Sequence, residues 1–348
     1  MKIVRRIHVR AALIAVVVLV VIGSGAAYAA TRTTTRPIGT GIVVIDTNLA
    51  YQGASAAGTG IVLTSRGEIL TNNHVIAGAT TIRVVVPNTR HTYIARVVGY
   101  DTTADVAVLQ LRNASHLKTV AIGNASKLTL GAHVTAVGNA GGTGRLTSAK
   151  GTVTGLNRSI TVQSDSGAAE KLSGLIETNA ALQPGDSGGP LLNSASRMVG
   201  VYTAASSSSS PFAAQGSSDG YAIPIGKALT ISKEIVSGKS SATVHVGSTA
   251  FLGVQVADAP SNPLGNGSPT PAEGATIVGV VAGGPADAAG LLPGDVITGV
   301  DGKTVTSASG LEPIVLAHKP GTKVTITYID TSGQSQTATV TLGSGPPQ

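Results

Sequence analysis

The sequence predicts an all-β barrel or sandwich followed by a smaller α+β domain, with an apolar helix-length segment ahead of both. Three observations carry this. From Gly39 onward, short apolar runs recur, each broken by Gly, Asn or Asp, which is the pattern of many short strands joined by turns. Beyond residue 249 the strand patterns interleave with two short helical ones. Residues 11–30 carry no charge. The 348 residues are enough for two or three domains. With 12% charged and 42% hydrophobic residues, a highly charged disordered chain is excluded. Cysteine is absent, which removes a disulfide framework, thiol chemistry and Cys-ligated metal.

The N-terminus has a basic head in residues 1–10, an aliphatic run over 11–22 and the small-residue stretch Ala26-Ala27-Tyr28-Ala29-Ala30. A cleaved secretory signal and a retained membrane anchor both fit residues 1–30, and both export the rest of the chain. Residues 31–38 are a polar tether. The net charge of +7 is concentrated at this end: Lys2, Arg5, Arg6, Arg10, Arg32 and Arg36 precede the first acidic residue, and 18 basic against 17 acidic residues remain after them. A nearly neutral body carries no electrostatic footprint for nucleic acid.

Strands are expected over residues 42–45, 60–63, 69–71, 82–86, 93–98, 106–111, 133–137, 151–155, 160–163, 191–192, 199–202 and 221–223. A short helix is expected over 228–236, stopped by Gly238. These close a first domain at 39–236. The polar runs 206–210 and 215–219 predict a mobile loop. The Gly/Ser/Thr-rich stretch 237–249 predicts a linker. The second domain, 250–344, reads as strand 251–256, a Pro/Gly-rich loop, strand 275–281, a helix at 285–289 ended by Gly290, strand 296–300, helix 309–317, and a hairpin of 324–329 with 336–341.

The chemistry centres on Gly185-Asp186-Ser187-Gly188-Gly189-Pro190. A serine between glycines suits a tight loop that exposes a hydroxyl and aims backbone N–H groups at one point. A serine nucleophile needs both features. A base must take its proton, and an anion must orient that base. Of seven histidines, His74 stands out, in Thr71-Asn72-Asn73-His74-Val75, where a strand ends and a turn begins. His91, His116, His133, His245 and His318 read as surface or packing residues. Asp105, at the mouth of Asp105-Val106-Ala107-Val108-Leu109, is the candidate acid. In isolation, an Asp at a strand mouth is more often a turn residue, and the order His74, Asp105, Ser187 shifts that balance.

These motifs resemble the chymotrypsin-type serine proteases and, more narrowly, the HtrA/Deg family of exported bacterial proteases. Gly58-Thr59-Gly60-Ile61-Val62, Val137-Gly138-Asn139, Glu177-Thr178-Asn179-Ala180-Ala181 and Gly220-Tyr221-Ala222-Ile223-Pro224 are similar to blocks of that family. The resemblance implies a trypsin-like double β-barrel with His74 as general base, Asp105 as orienting acid and Ser187 as nucleophile. It puts the oxyanion donors on the N–H groups of Gly185 and Ser187, and a specificity pocket at Ala181 and Tyr221. An uncharged Ala181 implies small or medium aliphatic side chains at the cleavage site. In one respect the chain departs from the family. Asp186 stands where Asn is common, as in digestive proteases, yet no activation-type Arg-Ile-Val-Gly sequence is present to supply an amine for it.

Residues 250–344 resemble a PDZ domain, through Phe251-Leu252-Gly253-Val254 and Gly284-Pro285-Ala286-Asp287-Ala288-Ala289-Gly290-Leu291. Leu252, Gly253 and Val254 would hold a peptide terminus that adds as a strand, and Leu311 would line the other wall. The resemblance implies an exported serine endopeptidase acting on unfolded or misfolded envelope proteins. It would bind C-terminal peptides at the PDZ domain and require no metal or organic cofactor. The family's common trimers make a homotrimer the oligomer to expect. The alternatives are a non-catalytic peptide-binding adaptor or chaperone on the same scaffold, and an esterase with a closed cleft.

Overall fold

A computed structural model describes residues 37–163, 169–205, 220–259 and 273–347. All of these fall in one compact unit, Arg36–Gln348. The expected signal or anchor and the polar loop at 206–219 lie outside the described residues. Among the described residues no helix is long and apolar enough to cross a membrane.

The first barrel comprises β1 (Ile42–Leu49), β2 (Ala54–Val62), β3 (Glu68–Thr71), β4 (Thr81–Val86), β5 (His91–Asp101) and β6 (Val106–Leu111). They pair in the order β5-β4-β1-β2-β3-β6, and a β5–β6 pairing closes the ring. The second barrel comprises β7 (His133–Gly138), β8 (Thr147–Gln163), β9 (Ala169–Thr178), β10 (Pro190–Asn193), β11 (Met198–Ala205) and β12 (Gly220–Pro224). It closes in the order β10-β11-β12-β9-β8-β7.

Strand alternation explains how one strand lines two cores. Along β6, Ala107, Leu109 and Leu111 enter the core of the first barrel, while Val106 and Val108 join a cluster shared with the second. That shared cluster takes Ile61 and Leu70 from one barrel and Val137, Val201 and Ile223 from the other. Each fully buried Leu or Ile contributes about 1.5–3 kcal/mol. Helix α1 (Ile225–Val236) seals it with a stripe of Ile225, Ala228, Ile231 and Ile235. It stops at Gly238, whose φ of 76° lets its N–H reach Ile235 O at 3.0 Å.

Three expectations change. The two strands expected at 151–155 and 160–163 are one strand, β8, running through register irregularities at Gly155 and Arg158. β9 was not anticipated, because its polar start hides the buried Leu172, Leu175 and Ile176. The stretch 237–249 contains β13 (Val244–Val246), which pairs with β5, so it is not a featureless connector.

The last domain begins with β14 (Thr249–Phe251), paired with the terminal β21 (Gly343–Gly345). Its sheet runs β15 (Val254–Asp258), β16 (Ala275–Val280), β17 (Val296–Val300), β19 (Lys323–Ile329), β20 (Ser335–Thr341), with the short β18 (Lys303–Thr304) on β17. Helices α2 (Pro285–Ala288) and α3 (Ala308–Leu316) cover a core built on Ile277, Ile297, Leu311 and Ile326. The single strand expected at 251–256 is broken at Leu252-Gly253, because Gly253 adopts a φ of 83°.

Candidate active site

The loop before β10 is held from both barrels. Thr59 on β2 donates its N–H to Ser187 O at 2.8 Å. Its hydroxyl donates to Gly185 O at 2.7 Å and accepts the Asn139 N–H at 2.9 Å. From β11, Tyr202 O accepts the Gly188 N–H at 3.0 Å and the Tyr202 N–H reaches Gly189 O at 2.9 Å. Gly188 has a φ of 81°, and a Cβ there would stand 2.1 Å from Thr59 O, so no other residue fits. Ser187 stays half-exposed. Among the described residues the N–H groups of Gly185 and Ser187 have no hydrogen-bond acceptor.

His74 lies three residues past the end of β3. Asp105 Oδ1 accepts the His74 backbone N–H at 3.0 Å, and Asp105 Oδ2 is 2.8 Å from His74 Nδ1. With Nδ1–H engaged by a carboxylate, the neutral ring carries its lone pair on Nε2. Asp105 is buried and adopts a left-handed φ of 53°. It is held there by Asn72 Nδ2 on its carbonyl at 2.8 Å and by the Thr203 hydroxyl on Oδ2. Thr71, just before this turn, donates its hydroxyl to Thr59 O at 2.8 Å. Thr59 therefore ties the serine loop and the histidine turn together. Thr59, Thr71, Asn72, Asn139 and Thr203 were not singled out from sequence. All but Thr203 lie in motifs of the family resemblance, which give them no role of their own.

Asp186 is buried at 6% exposure. Its Oδ2 accepts the Gln183 N–H at 3.0 Å, and its own N–H donates to Gln183 O at 3.0 Å. Among the described residues it has no cationic partner. Burial pushes its carboxyl above the ordinary range, while the Gln183 N–H pulls the other way. Gly138 packs directly on it, since a Cβ there would lie 2.6 Å from Asp186 Cα. Burial, and secondarily the Asp186 charge, push the Tyr202 phenol up.

The two expected pocket residues differ in setting. Ala181 is exposed. Tyr221 is buried, and its hydroxyl donates to Glu177 Oε1 at 3.0 Å, with Arg158 Nε on Oε2 at 2.8 Å. Tyr221 thus acts as a core residue of β12, its polar tip engaged by a buried carboxylate.

In the last domain a cavity of about 660 Å³ runs between β15 and α3. Leu252, Gly253, Val254 and Leu311 all line it, as expected, together with Val256 and Val315. Leu252 and Leu311 also belong to the core. The carbonyls of Leu252 and Gly253 accept the N–H groups of Ala286 and Val281, each at 2.9 Å. Their own N–H groups have no acceptor among the described residues.

Comparison with known proteins follows this division. Residues 58–201 match the model of the trypsin-like peptidase domain, and residues 250–342 that of the PDZ domain. The chain is 38% identical over 315 residues to serine protease PepD of Mycobacterium tuberculosis, covering 87% of this chain and 63% of that protein. It is 32% identical over 310 residues to the serine protease Do-like HtrA of Lactococcus lactis, covering 83% and 74%. A solved structure of the HtrA-type protease AlgW with tripeptide is similar at a TM-score of 0.50 and 29% identity, covering 89% and 95%. The chain spans 63%, 64% and 58% of three curated relatives, in Mycobacterium, Synechocystis and Bacillus.

Proposed function

We propose a function for a chain that belongs to the Do-like HtrA family of serine proteases: it is an exported serine endopeptidase that cuts unfolded or misfolded envelope proteins and binds peptide C-termini through its last domain. The observation that carries this is the hydrogen-bonded pair His74–Asp105, tied through Thr59 to a serine loop with two N–H groups that have no acceptor among the described residues. Ser187 Oγ attacks the scissile carbonyl as His74 Nε2 takes its proton. Asp105 stabilises the imidazolium, and the Gly185 and Ser187 N–H groups receive the oxyanion. His74 then protonates the leaving amine, and water repeats the sequence on the acyl-enzyme. Ala181, without charge, favours small or medium aliphatic side chains in the pocket. Two relatives are named as periplasmic endoproteases, which supports an extracytoplasmic site.

The test compares the purified chain with its Ser187→Ala variant on an unfolded fluorogenic protein, with and without a C-terminal peptide. The variant's turnover should fall by about 10⁴-fold or more. Retained turnover in the variant would remove Ser187 from the mechanism. A second reading, the non-catalytic adaptor, draws on the buried Asp186, which has no cationic partner among the described residues. It gains if the native chain binds peptide and never cuts.

A further inference from the structure

We propose that the groove of the last domain selects C-terminal segments with a lysine or arginine two or four residues before the terminal carboxylate, and that Glu312 is the residue that reads it. This rests on the reading of the groove as a peptide site and specifies the peptide.

The two ends of the groove differ in chemistry. At one end, Leu252 and Gly253 offer two successive N–H groups without acceptors among the described residues, with Gly253 at a φ of 83°. A concave run of backbone donors holds a carboxylate. The walls there are apolar, from Phe251, Val315 and Leu316. At the other end stands Asp258, closing β15, and between the ends Glu312 sits at the middle of α3, one turn before Leu316. These are the two titratable residues lining the groove, which no Lys, Arg or His lines among the described residues.

The polarity of the groove is fixed by a hydrogen bond. Asp258 Oδ1 accepts the Ala308 N–H at 2.8 Å, which pins the end of β15 to the start of α3. The donor end therefore lies toward the C-terminal half of α3, where Val315 and Leu316 are. Asp258 is already engaged in holding the helix start. Glu312 has no hydrogen bond or ion pair among the described residues. Glu312 is exposed, and its partial burial pushes its carboxyl up. An approaching cation offsets that desolvation.

Strand geometry sets the position. A peptide added to β15 advances about 3.4 Å per residue and turns alternate side chains toward α3. With its carboxylate at Leu252-Gly253, the terminal residue and those two and four before it face the helix. The terminal side chain meets the apolar wall. A basic side chain at either upstream position has a three- or four-carbon stem to lay along Val256 and Leu311 while its charge reaches Glu312.

The test measures fluorescence anisotropy on the full chain carrying Ser187→Ala, so that no peptide is cut. Three peptides share an apolar C-terminus and carry Lys, Ala or Glu at both upstream positions; a fourth is the Lys peptide amidated at its end. The Lys peptide should bind roughly three- to tenfold tighter than the Glu peptide. Glu312→Gln should shrink that ratio toward one, and Glu312→Lys should reverse it. Equal binding of the Lys and Glu peptides, or a ratio untouched by Glu312→Gln, overturns the selection and leaves the groove reading standing. Failure of every peptide to bind, or indifference to amidation, overturns the groove reading and the selection with it.

Discussion

Two loops in this molecule leave backbone N–H groups without an acceptor among the described residues, and they are built to different tolerances. Gly185 and Gly253 share a left-handed backbone, at φ of 97° and 83°. Around Gly185 the chain is clamped: a Cβ there would lie 2.2 Å from Asn139 O and 3.0 Å from Gly142 N, Thr59 holds Gly185 O, and Thr59 and Tyr202 fix Ser187 to Gly189 after it. Around Gly253 the nearest obstacle to a Cβ is the Pro285 ring at 3.2 Å. The anion proposed for each loop accounts for the difference. An oxyanion exists only in the transition state, so its donors must stand in place beforehand. A peptide carboxylate is a stable ground-state anion, and a loop that adjusts by a few tenths of an ångström still holds it.

The largest effect should come from Gly185→Ala. The left-handed φ and the backbone oxygen at 2.2 Å leave the methyl no space, so the peptide unit must move and one oxyanion donor moves with it. We expect turnover of an unfolded protein to fall by about 10²–10³-fold, with peptide binding at the last domain unchanged. Turnover within threefold of the native chain would show that the clamp does not set the donor.

The legibility of each region in the sequence follows the range of its contacts. The pairing of His74 with Asp105 is legible because each residue sits in a short motif at a strand end, and the Ser187 loop and the Leu252-Gly253 turn are legible as motifs in the same way. Thr59 and Thr203 were not, because their roles depend on partners far away in sequence: Thr59 meets Gly185 across 126 positions and Thr203 meets Asp105 across 98. A threonine in a strand reads as ordinary β-propensity until its hydroxyl partner is known. The same limit hid β13, three residues whose pairing with β5 depends wholly on tertiary context. Tyr221 was read as a pocket residue from its block, yet the buried Glu177 that engages its hydroxyl lies 44 positions away.

A smaller effect should follow Gly253→Ala, the matching change in the more open loop. The left-handed backbone costs about 1 kcal/mol with a Cβ, and the Pro285 ring must give slightly. Peptide affinity should fall about three- to tenfold by anisotropy, since 1 kcal/mol is about fivefold. Turnover without peptide should hold. A loss of peptide binding beyond a hundredfold would mean the second loop is as rigidly set as the first, and the contrast between them would collapse.

The smallest effect probes a feature that the peptide loop lacks, a buried carboxylate packed directly behind the donors. Burial raises the Asp186 carboxyl above its ordinary 3.8. Below that value the side chain is protonated in both folded and unfolded chains, and its contribution to stability is fully present. As pH rises through the folded value, the unfolded chain ionises more readily, and that contribution is lost. Asp186→Asn reproduces the protonated form, because an amide oxygen can still accept the Gln183 N–H. The variant should therefore match the native chain in thermal unfolding at acidic pH and exceed it slightly at neutral pH. A variant less stable at neutral pH would mean that a cation compensates the carboxylate. Activity separates a structural carboxylate from one that sets the loop. If ionised Asp186 governs how often the donors stand in place, the Asn variant's turnover should vary less between about pH 5 and 8 than the native chain's. Identical profiles would dismiss that role and leave the Thr59 clamp, which carries no charge, as what holds the oxyanion loop in place.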